Sequence, residues 1–169
     1  MGTQRLDFAE FYRSFRDDCL RTVVVIVGDQ DSAQELVAEA FARACASWRT
    51  VGRHPAPAAW VVRTALNANI SRWRRRRREI PIPDPTVIMA SSACSEASDG
   101  PIDLDIMAAL MRLPARQREV VALRLFLDLD TARAAGVLGI APGTVQAHLG
   151  RAIAALREDL ARELQERST

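Results

Sequence analysis

An all-α chain of two small helical domains joined by a flexible linker is the fold class that this sequence predicts, and three observations carry it. Apolar residues recur at helical spacing in both halves. Between them the stretch "IPIPDPTVIMASSACSEASDGP", residues 80–101, places four prolines among serine, aspartate and glycine, which forbids regular structure there. Toward the C-terminus a short helical pattern, a glycine-containing turn and a longer helical pattern follow in the order of a helix-turn-helix. The domains are therefore residues 1–79 and 102–169, the second carrying the helix-turn-helix. Fully extended, the linker reaches roughly 70 Å at about 3.3–3.6 Å per residue, so it reads as a tether. Its apolar Thr86–Met89 segment is also suited to docking on a surface.

In the first half, Phe8, Phe11, Phe15, Cys19 and Leu20 form one stripe of a helix from Leu6 to Val27. The run "TVVVIV" has strand propensity but continues that helical pattern, and Gly28-Asp29 ends it. Ser32-Ala33-Gln34-Glu35 reads as a capping box opening a second helix that lasts to about Trp48. Leu36, Ala40, Phe41, Ala44 and Trp48 are its inner face. "TVGRHPAP" is a loop, and a third helix starts near Pro57 and continues into five consecutive arginines, Arg74–Arg78. In the second half, Ile102–Leu113 is one helix, and Pro114 suits the first turn of the next, which lasts to about Leu127. Asp130 opens a short helix that Gly139 closes. Pro142 then starts a long helix with one apolar seam: Val145, Leu149, Ile153, Leu156 and Leu160.

Charge is placed unevenly. Net charge is only +2, yet residues 1–80 carry 14 Arg against 9 acids, residues 81–100 carry three acids and no base, and residues 101–169 carry nine of each. Lysine is absent, which fits a high-GC genome, and arginine suits phosphates and base edges. Cys19, Cys45 and Cys94 are scattered, with no C-x-x-C pair and no adjacent His, which argues against a zinc site or a disulfide framework. Idle thiols in a reducing compartment are the plainer reading, with a redox trigger at Cys94 as the sharper one. No apolar run approaches the length of a bilayer span, and the N-terminus has neither a signal-peptide shape nor a complete myristoylation signal, because position 6 is Leu. The expectation is a cytoplasmic protein with no membrane partner. Neither a phosphate-binding G-x-x-x-x-G-K, a Ser-His-Asp set nor metal-ligand spacing occurs, so no enzyme activity, cofactor or metal is expected.

On the third helix Val62, Leu66, Ile70 and Trp73 fall on one side and are expected to pack inward. Trp60, Arg63, Asn67, Ser71 and Arg74 fall on another. An aromatic ring, an amide, a hydroxyl and guanidiniums together can stack on bases, bond to base edges and neutralise phosphates. The competing reading takes Trp60 as core and the arginine run as a solvated surface. In a helix-turn-helix the second helix enters the major groove and its first exposed residues meet bases. Those are Thr144, Gln146, Ala147, His148 and Arg151. Thr144 and the free N–H groups around Gly143 suit a phosphate, while Gln146 and Arg151 suit adenine and guanine edges. Helix pairs also serve packing alone, and His148 taken singly reads as an ordinary surface histidine.

Nearly the whole chain resembles a family at this point. "DSAQELVAEAFARACASW" is similar to the helix by which small two-domain sigma factors of the extracytoplasmic-function (ECF) group dock on the clamp of bacterial RNA polymerase. "AAWVVRTALNANISRWRRRRR" resembles their helix that reads the minus-ten element. "LPARQREVVALRLFLDL" with "LGIAPGTVQAHLGRAIAALREDL" resembles the domain that reads the minus-thirty-five element. The resemblance implies docking on core RNA polymerase through Glu35, Leu36, Glu39 and Arg43. It implies that Asn67 meets an extruded base of the minus-ten strand, in a pocket that the loop with Arg53 and His54 helps form. Trp60, Arg63, Ser71, Arg74, Arg75 and Arg76 complete the minus-ten set. Thr144, Gln146, Ala147, His148 and Arg151 become the minus-thirty-five set. Promoter DNA and core polymerase are the implied partners, and the group admits an anti-sigma protein as a further one.

Three departures stand out. Ala38 occupies a position where the docking helix usually has Gln, Arg133-Ala134 replaces a Glu-Ile pair, and Gln146 replaces a Lys. They imply weaker docking, looser packing of the second domain, and one phosphate contact fewer with a flatter salt dependence. With no nucleotide-hydrolysis motif, strand capture itself must supply much of the melting energy, on the order of 1.4 kcal/mol per base-pair step. The rival reading is a stand-alone helix-turn-helix regulator, which leaves the first half unexplained. A degenerate sigma that only binds partners is the third.

Overall fold

The structure is a computed structural model that describes residues 7–79 and 104–167. The expected linker and Cys94 lie outside those residues. Eight helices and no strands are present among the described residues: α1 (Phe8–Val27), α2 (Gln30–Ala46), α3 (Trp48–Val51), α4 (Pro57–Glu79), α5 (Leu104–Arg112), α6 (Ala115–Phe126), α7 (Thr131–Leu138) and α8 (Pro142–Arg167).

Local chemistry sets the ends. α1 opens on a capping box, in which the Asp7 carboxylate accepts from Glu10 N at 2.7 Å and the Glu10 carboxylate accepts from Asp7 N. It closes at Gly28, whose φ of 80° is left-handed and whose N–H donates to Val24 O. α2 starts earlier than the expected Ser32 box. Asp29 is the cap, its carboxylate accepting from Ser32 N at 2.8 Å, and bonds from the Ser32 side chain and backbone hold its pKa below the usual carboxylate value. The expected loop at residues 50–57 gives up its first two residues to a single helical turn, α3. Asp130 and Gly139 bound α7 as expected.

Phe11 is the hub of the first half. Its ring lies 4.8 Å from Trp48, 5.2 Å from Phe15 and 5.7 Å from Phe41, tying α1 to α2 and α3. The buried faces of α2 and α4, including Leu36, Ala40, Phe41, Val61, Val62 and Ala65, complete that core.

The two halves are in contact. α6 lies along α1 and α7 contacts α4, and one apolar cluster runs through Phe11, Val23, Val62, Val120, Leu123, Ala134 and Val145. A second joins Val25 of α1 to Leu110, Val121, Ala122 and Ala152. This explains "TVVVIV". A helix end apolar all round is one buried on more than one side. Val23 and Val25 are both fully buried, while the Thr22 hydroxyl donates to Asp18 O at 2.7 Å.

Two expected inner faces need correction. On α4, Val62 is buried and Leu66 partly so, but Ile70 and Trp73 are 47% and 45% exposed. The core is filled instead by Ala58, Ala59, Val61 and Ala65 near the start of the helix, and the later turns run beyond it. On α8, Val145 is buried, but Ile153 and Leu160 are exposed and Ala152 takes the inward place.

Candidate nucleic-acid interface

α2 is two-faced. Ala33, Leu36, Val37, Ala40, Phe41 and Ala44 are buried, while Glu35, Ala38, Glu39 and Arg43 line the outer side. Leu36 is therefore not a docking contact: it is fully buried in the core, and its side chain offers nothing to a partner. Glu39 pairs with Arg43 one turn on, at 2.6 Å. Arg72, on α4, reaches across to both acids, at 3.0 Å from Glu35 and 3.2 Å from Glu39.

α4 exposes Arg63, Asn67, Ser71 and Arg74, in the order that a 3.6-residue period predicts, followed by exposed Arg75 and Arg76. Trp60 does not belong to that exposed set. It is partly buried against the core, and its carbonyl accepts from the Thr64 hydroxyl at 2.8 Å. Ser71 Oγ donates to Asn67 O at 3.0 Å, so its hydroxyl is left to accept from a ligand rather than donate.

Asn67, Ser71 and Arg75 share an open cleft of about 350 Å³ with Arg72, and with Glu39 and Arg43 of α2. An amide with both a donor and an acceptor, flanked by two arginines, suits a base edge and a phosphate. Arg53 and His54 do not line this cleft. They are exposed in the turn after α3, where His54 Nδ1 accepts from Ala56 N at 3.0 Å and so leaves the Nε2 side facing outward. On its other side Asn67, with Arg63, Leu66 and Ile70, lines a second cleft of about 270 Å³, whose opposite wall is Arg116 and Glu119 of α6, Val137 and Leu138 of α7 and its cap Gly139.

The helix-turn-helix is built by Asp130, which accepts from Arg133 N at 2.8 Å, by Gly139 with φ 66°, and by Val145, fully buried on the inner side of the second helix. Thr144, Gln146, Ala147 and Arg151 are exposed on one side of α8. His148 differs: it is half-buried, and its Nδ1 is buried without a hydrogen-bond partner. Ala134, where the sequence pattern lacks a larger side chain, is fully buried, and Arg133 turns back to Asp130 at 3.6 Å.

Sequence reasoning missed two features. Arg72 has no assigned role in the sequence reading, although acids at i and i+4 on α2 invite a cation from a facing helix. Trp73, expected inside, stands exposed with the Arg77 guanidinium over its ring. No helix among the described residues is long and apolar enough to cross a membrane, and none of their His, Cys, Asp and Glu side chains cluster in threes as metal ligands.

Comparison with known proteins agrees with this arrangement. The family model for sigma-70 region 2 matches residues 11–79, and that for sigma-70 region 4 matches residues 103–156. The chain is 33% identical over 165 residues to the RNA polymerase sigma-E factor of Streptomyces coelicolor, covering 96% of this chain and 92% of that protein. It is 32% identical over 140 residues to the ECF RNA polymerase sigma factor SigL of Mycobacterium tuberculosis, 81% of this chain and 79% of that one. Among solved structures it is similar to the sigma factor RpoE of Bartonella quintana, solved with the anti-sigma factor NepR, at TM-score 0.70 and 26% identity over 92% of this chain and 97% of that one. Matched in both regions, in this order, and by relatives along nearly its whole length, the chain belongs to the ECF sigma factors of the sigma-70 family.

Proposed function

We propose that this chain binds core RNA polymerase through the outer face of α2, captures the melted minus-ten strand on α4, and reads the upstream duplex with the first turns of α8. Glu35, Glu39 and Arg43 form the polymerase-facing row. Asn67, with Ser71, Arg75 and Arg63 around it, takes a base out of the stack. Extrusion costs a few kcal/mol, which hydrogen bonds to the amide and charge on the flanking phosphates must return. Arg74 and Arg76 add phosphate contacts. Thr144, Gln146, Ala147 and Arg151 present the groove-facing set, with His148 seated behind them.

The observation that supports this reading is one cleft shared by two helices, lined by Glu39 and Arg43 of α2 and by Asn67, Ser71 and Arg75 of α4. A surface used only for duplex binding has no reason to abut an acidic helix face. An anti-sigma protein is a further partner of the same reading, supported by the solved relative's complex. The chain acts as a cytoplasmic binding factor, without chemistry of its own.

The test is to mix the purified chain with bacterial core polymerase, look for a co-migrating complex, and transcribe from a pool of genomic promoter fragments. A complex with selective transcripts is the expected result. Sequence-specific duplex binding by the chain alone, with no polymerase complex, would replace this reading with the stand-alone regulator.

A further inference from the structure

Arg72 is set apart from the arginines that follow it. Its side chain is 29% exposed and turned back onto α2, whereas Arg74–Arg78 are exposed. One terminal nitrogen, Nη1, donates to Glu35 Oε2 at 3.0 Å, and the other, Nη2, donates to Glu39 Oε2 at 3.2 Å. The remaining oxygen of Glu39 accepts from Arg43 Nη2 at 2.6 Å. Both oxygens of Glu39 are therefore committed inside the chain. Glu35 keeps Oε1 uncommitted on a side chain that is 70% exposed.

We propose that Arg72 is a positioning residue that holds Glu35 with its uncommitted carboxylate oxygen turned outward to a basic surface of the polymerase. Glu39, in the same row, anchors the network through its bonds to Arg72 and Arg43. A rigid guanidinium can hold two carboxylates of one helix at once, which a lysine ammonium on a flexible stem does poorly. Because Arg72 is rooted in α4 and lines the same cleft as Asn67, Ser71 and Arg75, it also makes the docking face and the strand-reading face one unit. Whatever fixes the α2 carboxylates fixes the α4 turn that carries Ser71, and such coupling is reciprocal. This inference rests on the reading that the α2 face docks on core polymerase.

The experiment measures the affinity of the full chain for bacterial core polymerase, by anisotropy of a labelled chain, for Arg72→Ala, Arg72→Gln, Arg72→Lys, Glu35→Gln and the double variant Arg72→Ala/Glu35→Gln. Arg16→Ala serves as a control that removes the same charge from α1. Arg72→Ala and Arg72→Gln are expected to weaken binding roughly three- to tenfold, with Arg72→Lys recovering only part of it. The double variant should be no weaker than the worse single one, because both act through the Glu35 carboxylate. Thermal melts should move little, since ion pairs at a partly exposed surface contribute little to stability. Wild-type affinity in both Arg72 variants, fully additive losses, or an equal loss in Arg16→Ala would overturn the positioning role while leaving polymerase docking in place. Failure of the unaltered chain to bind polymerase overturns the docking reading itself, and the inference with it.

Discussion

The Arg77 guanidinium lies 4.2 Å from the centroid of the Trp73 ring, on a turn of α4 where that ring is nearly half exposed. A cation over an exposed indole is a modest contact, about 0.5–1 kcal/mol. The other face of the ring, beside five consecutive arginines, is suited to stack on an unpaired base. Trp73→Ala is therefore expected to weaken binding of a single-stranded minus-ten oligonucleotide to the assembled holoenzyme, by the ~1–3 kcal/mol typical of base–aromatic stacking. Its melting temperature should hardly change, because little core is lost. Unchanged oligonucleotide affinity, read by competition binding, would return Trp73 to the class of merely exposed side chains.

Asn67 is the amide between the two clefts, and it takes no part in the ion pairs that tie Arg72 to Glu35 and Glu39. Asn67→Ala should impair promoter opening and leave polymerase affinity intact. Permanganate reactivity of thymines in the melted region, together with a polymerase-binding titration, separates the two. Equal loss of both would remove the base-reading role.

Much of this arrangement was legible because it is written in local chemistry. Asp130, Gly139 and Pro142 mark the helix-turn-helix by cap, left-handed turn and first-turn proline, and each acts within a few residues. What was not legible depends on partners distant in the chain. Ile70 and Trp73 satisfy the apolar period of α4, but periodicity cannot say where the core ends along a helix, and it ends before them. Leu36 falls on the inner face of α2 by its period and in the docking row by the resemblance, and its full burial decides for the period, because a motif match does not separate contact from core. Ser32 with Glu35 has the pattern of a capping box, yet the Asp29 carboxylate accepts from Ser32 N and caps α2 three residues earlier. The docking of the second half on α1 has a sequence signal, the all-round apolar "TVVVIV": its place in the first helix follows from the pattern, but its two-sided burial needs the second half.

Cys19 is fully buried beneath Ala58 O, and burial, with Asp18 nearby, raises its thiol pKa far above the ordinary value. The folded chain keeps this proton where the unfolded chain loses it. Its contribution is therefore fully present below the ordinary thiol pKa, near 8.5, and above that pH stability falls by up to about 1.4 kcal/mol per unit. Urea titrations at pH 7 and pH 10 should show the loss, and Cys19→Ala should reduce it. Alkylation at pH 8 should label exposed Cys45 rapidly and Cys19 only on unfolding. Rapid labelling of Cys19 in the native chain would contradict the packing of α1 against α4.

The shared core makes a prediction that two tethered domains would not. All three tryptophans, Trp48, Trp60 and Trp73, lie in the first half, so their fluorescence reports that half alone, while far-ultraviolet circular dichroism reports both. Leu123 belongs to the second half, is fully buried, and sits in the cluster that also holds Phe11, Val23 and Val62. Leu123→Ala removes about 2–5 kcal/mol of packing. If the halves unfold as one cooperative body, the fluorescence and dichroism transitions coincide in the unaltered chain and move together in the variant. If they are independent, the variant shifts part of the dichroism transition and leaves the tryptophan transition in place. Coincident shifts would mean that opening the halves costs a measurable part of the chain's stability. That cost would then weigh on any complex in which α4 must part from α7 before Asn67 and Arg63 can hold a strand.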